Sequence, residues 1–266
     1  MKKYFLLLLL ATSAAFSQIT LLSWNLENFG KSKSPQTIAY IAKTVKDYDV
    51  IAIQEVVAGY GGSQAVAKLA AALNRSGNKW DYTISDPTSS SAYKTERYAF
   101  LWKTNKVKKI GKAWLEKKYG LVIDREPYFC TFQYGSKQFT VVNFHAITKS
   151  RQPETEIKYF RYLPAEYPLL DLIFVGDFNC PQTHSVFDPL KKMGYAPAFT
   201  AQKTSLKQQC KNDSCLASEF DNIFYNSAKI RANHFGVLLF FKDFSTLHDA
   251  KMISDHIPIW LAMGDQ

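Results

Sequence analysis

Short apolar runs, each closed by a polar residue, recur along this chain. Residues 19–26 are β-branched and apolar and predict a strand. Residues 50–53 are continuously apolar, the pattern of a strand buried on both faces. Residues 80–85, 98–102, 129–133 and 139–144 predict strands joined by polar turns, and 172–175, 220–225 and 257–261 predict three more. Helical spacing appears between them. Ser34 suits an N-cap and Pro35 a first helical position, after which Ile38, Ile41 and Val45 repeat on one face. Val66, Leu69, Ala70 and Leu73 mark a second helix ending near Gly77, and residues 153–163 predict a third. Residues 202–218 are polar and predict a loop, whereas Phe240 and Phe241, beside Leu238 and Leu239, are expected in a core strand. There is no internal repeat, low-complexity stretch or linker. The alternation predicts a single α/β domain of two packed sheets covered by helices.

The amino-terminal residues read differently. Lys2 and Lys3, an apolar run over 5–10 and small residues at Ala15 and Ser17 predict a signal peptide over 1–17, with the domain occupying 18–266. The expectation is a secreted or periplasmic monomer without stable membrane association after cleavage. Export changes the charge only from +10 to +8, because Lys2 and Lys3 leave and no acid does. A basic protein attracts polyanions, nucleic acid among them. With 47% apolar and 21% charged residues the chain is neither disordered nor, in its interior, membrane-spanning. Four cysteines, Cys130, Cys180, Cys210 and Cys215, allow three complete pairings. Cys210 and Cys215 could close a small ring, Cys180 could instead join one of them, and Cys130 is expected as a buried thiol. No paired CxxC or HxxxH spacing supports a zinc site.

The chemistry gathers at the ends of the apolar runs. Asn25 follows the first strand, Glu55 the second and His145 the run over 139–144. Asp177 and Asn179 follow 173–176, Asp221 follows Phe220, and Asp255-His256 precede the last strand. One carboxylate at a strand end is ordinarily a turn residue. Six such positions in one chain point to a site, because strands of packed sheets can bring their ends together. Glu55, Asp177, Asp255, Asn25 and Asn179 are oxygen donors, which suit Mg²⁺, Mn²⁺ or Ca²⁺. Two histidines beside carboxylates suit proton transfer near neutral pH. Metal, acid and base are what phosphodiester hydrolysis needs.

Residues 23–28 (SWNLEN), 53–56 (IQEV), 175–179 (VGDFN) and 254–258 (SDHIP) resemble the motifs of the endonuclease/exonuclease/phosphatase superfamily, in that family's order. The deoxyribonuclease I branch is the nearest likeness, through residues 93–101 (YKTERYAFL), 125–127 (REP), His145 and 220–223 (FDNI). The resemblance implies a four-layered α/β sandwich and a secreted, divalent-metal-dependent endonuclease cutting DNA with low sequence specificity. It implies His256 as general base oriented by Asp221, and His145 as general acid oriented by Glu96. Glu55 becomes the principal metal ligand, with Asn25 and Asp255 completing or adjoining its site. Asp177 and Asn179 hold a second cation, or the phosphate and water, and Arg125 and Tyr93 contact substrate. The chain departs from the branch at two places. Val57 stands where an arginine reaches the minor groove, and Thr95 is an extra residue between Tyr93 and Glu96. Both bear on how DNA is engaged, not on the hydrolytic centre.

Two rival readings remain at this level. One is a phosphodiesterase of the same fold acting on a lipid or small phosphoester, as sphingomyelinases do. The other is a non-catalytic binding module. His184, His234, His248 and the cluster Lys106, Lys108 and Lys109 lie outside the motifs and are expected on solvated turns.

Overall fold

The computed structural model describes residues 18–90, 95–212 and 214–264. The expected leader over 1–17, and Tyr93, lie outside the described residues. The strands are β1 (Gln18–Phe29), β2 (Val50–Val57), β3 (Trp80–Ile84), β4 (Glu96–Lys103), β5 (Lys108–Leu115), β6 (Tyr128–Tyr134) and β7 (Lys137–His145). They continue with β8 (Leu172–Asp177), β9 (Tyr195–Pro197), β10 (Leu206–Lys211), β11 (Ser214–Leu216), β12 (Asp221–Asn226), β13 (Arg231–Val237) and β14 (Ile259–Gly264). Helices α1 (Pro35–Val45) and α2 (Gly62–Asn74) cover one side; α3 (Glu154–Ile157), α4 (Leu163–Glu166) and α5 (Asp188–Lys192) cover the other, and α6 (Leu247–Lys251) precedes β14.

One six-stranded sheet runs β13-β14-β1-β2-β4-β3, the second β5-β6-β7-β8-β12-β9. Both are mixed, with β1 parallel to β2 and β7 parallel to β8. Period-two alternation explains the continuous apolar runs. On β2, Val50 and Ala52 point between the sheets while Ile51 and Ile53 meet α1 and α2. On β8, Ile173 and Val175 point between the sheets while Leu172 and Phe174 meet the opposite helical layer. Helix, sheet, sheet and helix therefore stack as the four-layered sandwich the sequence implied. Ser34 caps α1, its side chain accepting from Thr37 N, with Pro35 at the first helical position as expected.

Several expectations are corrected. Residues 153–163 do not form one helix: α3, a 3₁₀ turn over Phe160–Tyr162 and α4 divide the segment. Pro164, at the start of α4, cannot continue a helix from upstream. Phe240 is buried, but in a 3₁₀ turn rather than a strand. The segment 202–218 contains the β10–β11 hairpin, closed by the Cys210–Cys215 disulfide. Its polarity misleads because most of the hairpin is exposed. Strands β5, β9 and β13 escaped prediction; all three are sheet edges, where burial imposes little apolar pattern. Cys130 is a buried free thiol as expected, and Cys180 is free as well.

Candidate active site

Strand ends from both sheets meet over a cleft of about 740 Å³. In the second sheet, β7, β8 and β12 are in register so that His145 pairs with Asp177 and Asp177 with Asp221. In the first sheet the register slips between Asn25 and Phe29 and between Ile53 and Val56. Glu27, Asn28 and Glu55 take positive φ values there, and Asn179 does so after β8. Such backbone is uncommon away from glycine and clusters at functional sites, where it re-aims side chains.

Each histidine belongs to one sheet and is braced from the other. His145 ends β7, and its Nδ1 lies 3.1 and 3.0 Å from the two oxygens of Glu96 on β4. His256 precedes β14, and its Nδ1 lies 2.6 Å from Asp221 Oδ2 on β12. A carboxylate can only accept, so each Nδ1 carries the hydrogen and each Nε2 faces the cleft. Between them stands Asp177: its Oδ2 is 3.6 Å from His145 Nε2 and 3.5 Å from His256 Nε2. Asn25 Nδ2 joins the cluster, donating to Asp177 Oδ2 at 3.2 Å and Glu55 Oε1 at 2.9 Å. Asn25 Oδ1 accepts from Glu27 N, so the amide is held beside both carboxylates.

The electrostatics follow from burial and proximity. Burial opposes charge on His256, but Asp221 and Asp177 outweigh it and raise its pKa well above the ordinary value. Burial likewise opposes charge on His145, and Glu96 outweighs it, while Arg125 pulls the other way; the net direction is upward. For Glu55, burial pushes the carboxyl up, yet His145, the Asn25 amide and the Asn28 N–H hold it below its usual range. Asp177 is held down in the same way by His256 and His145.

Backbone supports fix these groups. Ser254 Oγ donates to Asn25 O and accepts from His256 N, and Trp24 Nε1 donates to His256 O at 2.7 Å. Thr204 Oγ1 accepts from Phe220 N and Asp221 N, and the backbone around Ser205 bridges to His256. Tyr98 Oη accepts from His145 N and donates to Arg125 O. Glu156 accepts from Ile147 N and Asp124 N, holding the loops that flank Arg125 and His145. Thr204, Tyr98 and Glu156 were not anticipated; nothing in a linear sequence tells a threonine or glutamate that binds backbone from one that binds solvent. Phe220, next to Asp221 in the chain, stacks on the His256 ring.

The remaining expected residues are placed as follows. Asp255 and Asn179 line the cleft, Asn179 Nδ2 donating to Ala146 O. Arg125 lines it too, but Nε donates to His145 O, Nη2 to Ala146 O and Nη1 to Glu96 Oε2. Its guanidinium thus also braces the His145 end of β7. His184 caps a 3₁₀ turn through Val186 N, and neither it nor His234 nor His248 reaches the cleft. Lys106 pairs with Asp49, and Lys108 and Lys109 lie on the outer strand β5.

The donors fit a hard cation. Glu55 faces the cleft with a depressed pKa, and Asp255 lines the same wall. Asp177, Asp221 and His256 also have ligand atoms within 4.8 Å of one another. The Glu55 side chain is 23% exposed to the cleft against 2% for Asp177 and Asp221, which makes it the better candidate ligand.

Known proteins resemble this chain in sequence or in fold. The chain is 33% identical over 169 residues to deoxyribonuclease-1 of Bos taurus, covering 59% of each. It is 27% identical over 230 residues to a deoxyribonuclease of a Thioalkalivibrio species, covering 82% of this chain and 61% of that one. The match thus spans about three fifths of each relative's length. Among solved structures, a mannosyl-6-phosphatase of Bacteroides thetaiotaomicron superposes with a TM-score of 0.68 at 21% identity, over 93% of this chain and all of that one. The sequence model of the Endonuclease/Exonuclease/phosphatase family matches residues 22–256, and with that span, this fold and this cluster of strand-end residues, the chain belongs to that family.

Proposed function

We propose that this protein is an exported, divalent-metal-dependent endonuclease that hydrolyses DNA phosphodiester bonds with low sequence specificity. One observation carries the reading: two imidazoles, each braced by a carboxylate from the opposite sheet, face each other across Asp177 in one cleft. The preference for DNA draws on the two deoxyribonuclease relatives and on the formal charge, +10 for the whole chain and +8 without residues 1–17. The disulfide Cys210–Cys215 supports an oxidising compartment.

In this reading His256 takes the proton of the attacking water and His145 delivers one to the leaving oxygen. The motif likeness supports this division. Carboxylates raise the pKa of both imidazoles, Asp221 and Asp177 at His256 and Glu96 and Asp177 at His145, where Arg125 opposes the rise in part. Asn179 donates to the phosphate and Asp177 accepts from the water between the rings, and Arg125 contacts phosphate at the cleft wall. A cation at Glu55, with Asp255 adjoining, would offset charge on the phosphoryl oxygens.

Nicking of supercoiled plasmid with Mg²⁺ tests the reading. Activity is expected to vanish in EDTA and to fall about 10²-fold or more in His145→Ala and His256→Ala. Undiminished cutting by either variant would refute it. A second reading, cleavage of a lipid or small phosphoester, is favoured by Val57 at the wall of the cleft. Release of phosphocholine from sphingomyelin liposomes without plasmid nicking would establish that alternative.

A further inference from the structure

We propose that Lys31, Tyr60 and Lys68 form a lip on which the DNA strand continues beyond the cleft, supplying the substrate contact that Val57 lacks. The inference rests on the DNA-cleaving reading. Tyr60 is the most exposed aromatic side chain among the described residues, at 80%. It belongs to the loop between β2 and α2, whose preceding residues Val57, Ala58 and Gly59 line the catalytic cleft. Lys31, in the loop after β1, places its Nζ 6.0 Å from the Tyr60 ring centroid. Beneath them lies a hollow of about 210 Å³ lined by Lys31, Lys33, Tyr60, Gln64 and Lys68 among others, with no carboxylate in its wall.

The lip is built rather than incidental. A Cβ on Gly30 would stand 2.8 Å from Val57 Cγ2, and one on Gly62 would stand 1.9 Å from Val57 O. Gly61 has φ +102°, and its Cβ would stand 2.9 Å from both Lys31 N and Lys31 Cβ. Only glycine lets the two loops nest this closely. Gln64 adds an acceptor for Gly61 N at 3.0 Å. The loops therefore hold the backbone that carries Lys31 and Tyr60 beside the cleft. A nucleic-acid strand alternates phosphates with flat or apolar groups, which match lysines spaced around one exposed ring. A small phosphoester confined to the cleft would not reach this surface.

Plasmid DNA and bis(p-nitrophenyl) phosphate, each with Mg²⁺, separate the possibilities. Tyr60→Ala and the double variant Lys31→Ala/Lys68→Ala are expected to raise KM for DNA about five-fold or more. Their kcat on DNA and their turnover of the small diester should match the parent. The salt dependence of DNA cleavage in the lysine variant should flatten by about one unit of log–log slope for each lysine removed. Tyr60→Phe should restore the parent KM. If the parent cleaves DNA and the variants keep its KM and salt slope, the lip is refuted while the nuclease reading stands. Equal losses on both substrates would also overturn it, by showing a structural role. A parent that hydrolyses the diester but never DNA overturns the reading itself and the lip with it.

Discussion

Asp221 touches the cleft only through His256, with which it shares a 2.6 Å hydrogen bond from a buried position. In Asp221→Asn the imidazole loses the charge that does most to raise its pKa. Because His256 must be uncharged to accept a proton, activity rises with pH through that pKa. The acidic limb of the kcat/KM profile should therefore move to lower pH, while kcat falls about 10²-fold or more. An unshifted limb would remove His256 from the role of base. Residue-scale chemistry also separates the cysteines. Burial pushes the Cys130 thiol up to about 12 and the Cys180 thiol up to about 11. Both stay protonated at pH 8, where the thiolate is the reactive species. A thiol reagent at that pH should label neither in the native protein and both after denaturation.

At the level of elements, the meeting of β7 and β8 is the most constrained. Gly176 has φ +132°, and a Cβ there would stand 1.9 Å from Phe144 O. Gly176→Ala must push apart the strands that end in His145 and Asp177. Destabilisation of about 3 kcal/mol or more is expected, with loss of hydrolysis, read by denaturant unfolding and plasmid nicking. The β10–β11 hairpin is held differently, by a disulfide across a separation of 5 residues. Closing so short a loop restricts the unfolded chain by about 2 kcal/mol. Cys210→Ser should lower the thermal midpoint by several degrees. Cleft chemistry should survive, because Ser205 and Leu206, which bridge to His256 and Asp255, lie on the near side of the ring.

Across the whole molecule, the two sheets depend on each other at a polar bridge beneath the site. Gln54 Nε2 donates to Ser23 Oγ and, at 2.6 Å, to Asn143 Oδ1. Asn143 Nδ2 donates in turn to Ile53 O. Both side chains are fully buried, so neither has water as a substitute partner. Asn143→Leu should cost about 1–3 kcal/mol and loosen both histidine–carboxylate pairs together, since each pair spans the sheets. Parallel loss of activity and cooperativity in urea unfolding would show that coupling; loss of stability with full activity would deny it.

Much of this was legible in the chain itself. Strands buried on both faces announce themselves, because each needs apolar residues at every position; β2 and β8 did so, and the polar residues closing such runs marked the site. Edge strands β5, β9 and β13 and the exposed β10–β11 hairpin were silent, since one or both of their faces meet solvent. Pairings across space belong to the tertiary structure alone. Which carboxylate braces which imidazole depends on how the two sheets face each other; the motif likeness suggested both pairs, and only packing placed them. The backbone-holding roles of Thr204, Tyr98 and Glu156, the bracing of β7 by Arg125, and the nesting of Gly30 against the loop bearing Tyr60 arise where distant segments meet. Local sequence sets what each segment can bury and donate; the packing of segments decides which donor meets which acceptor.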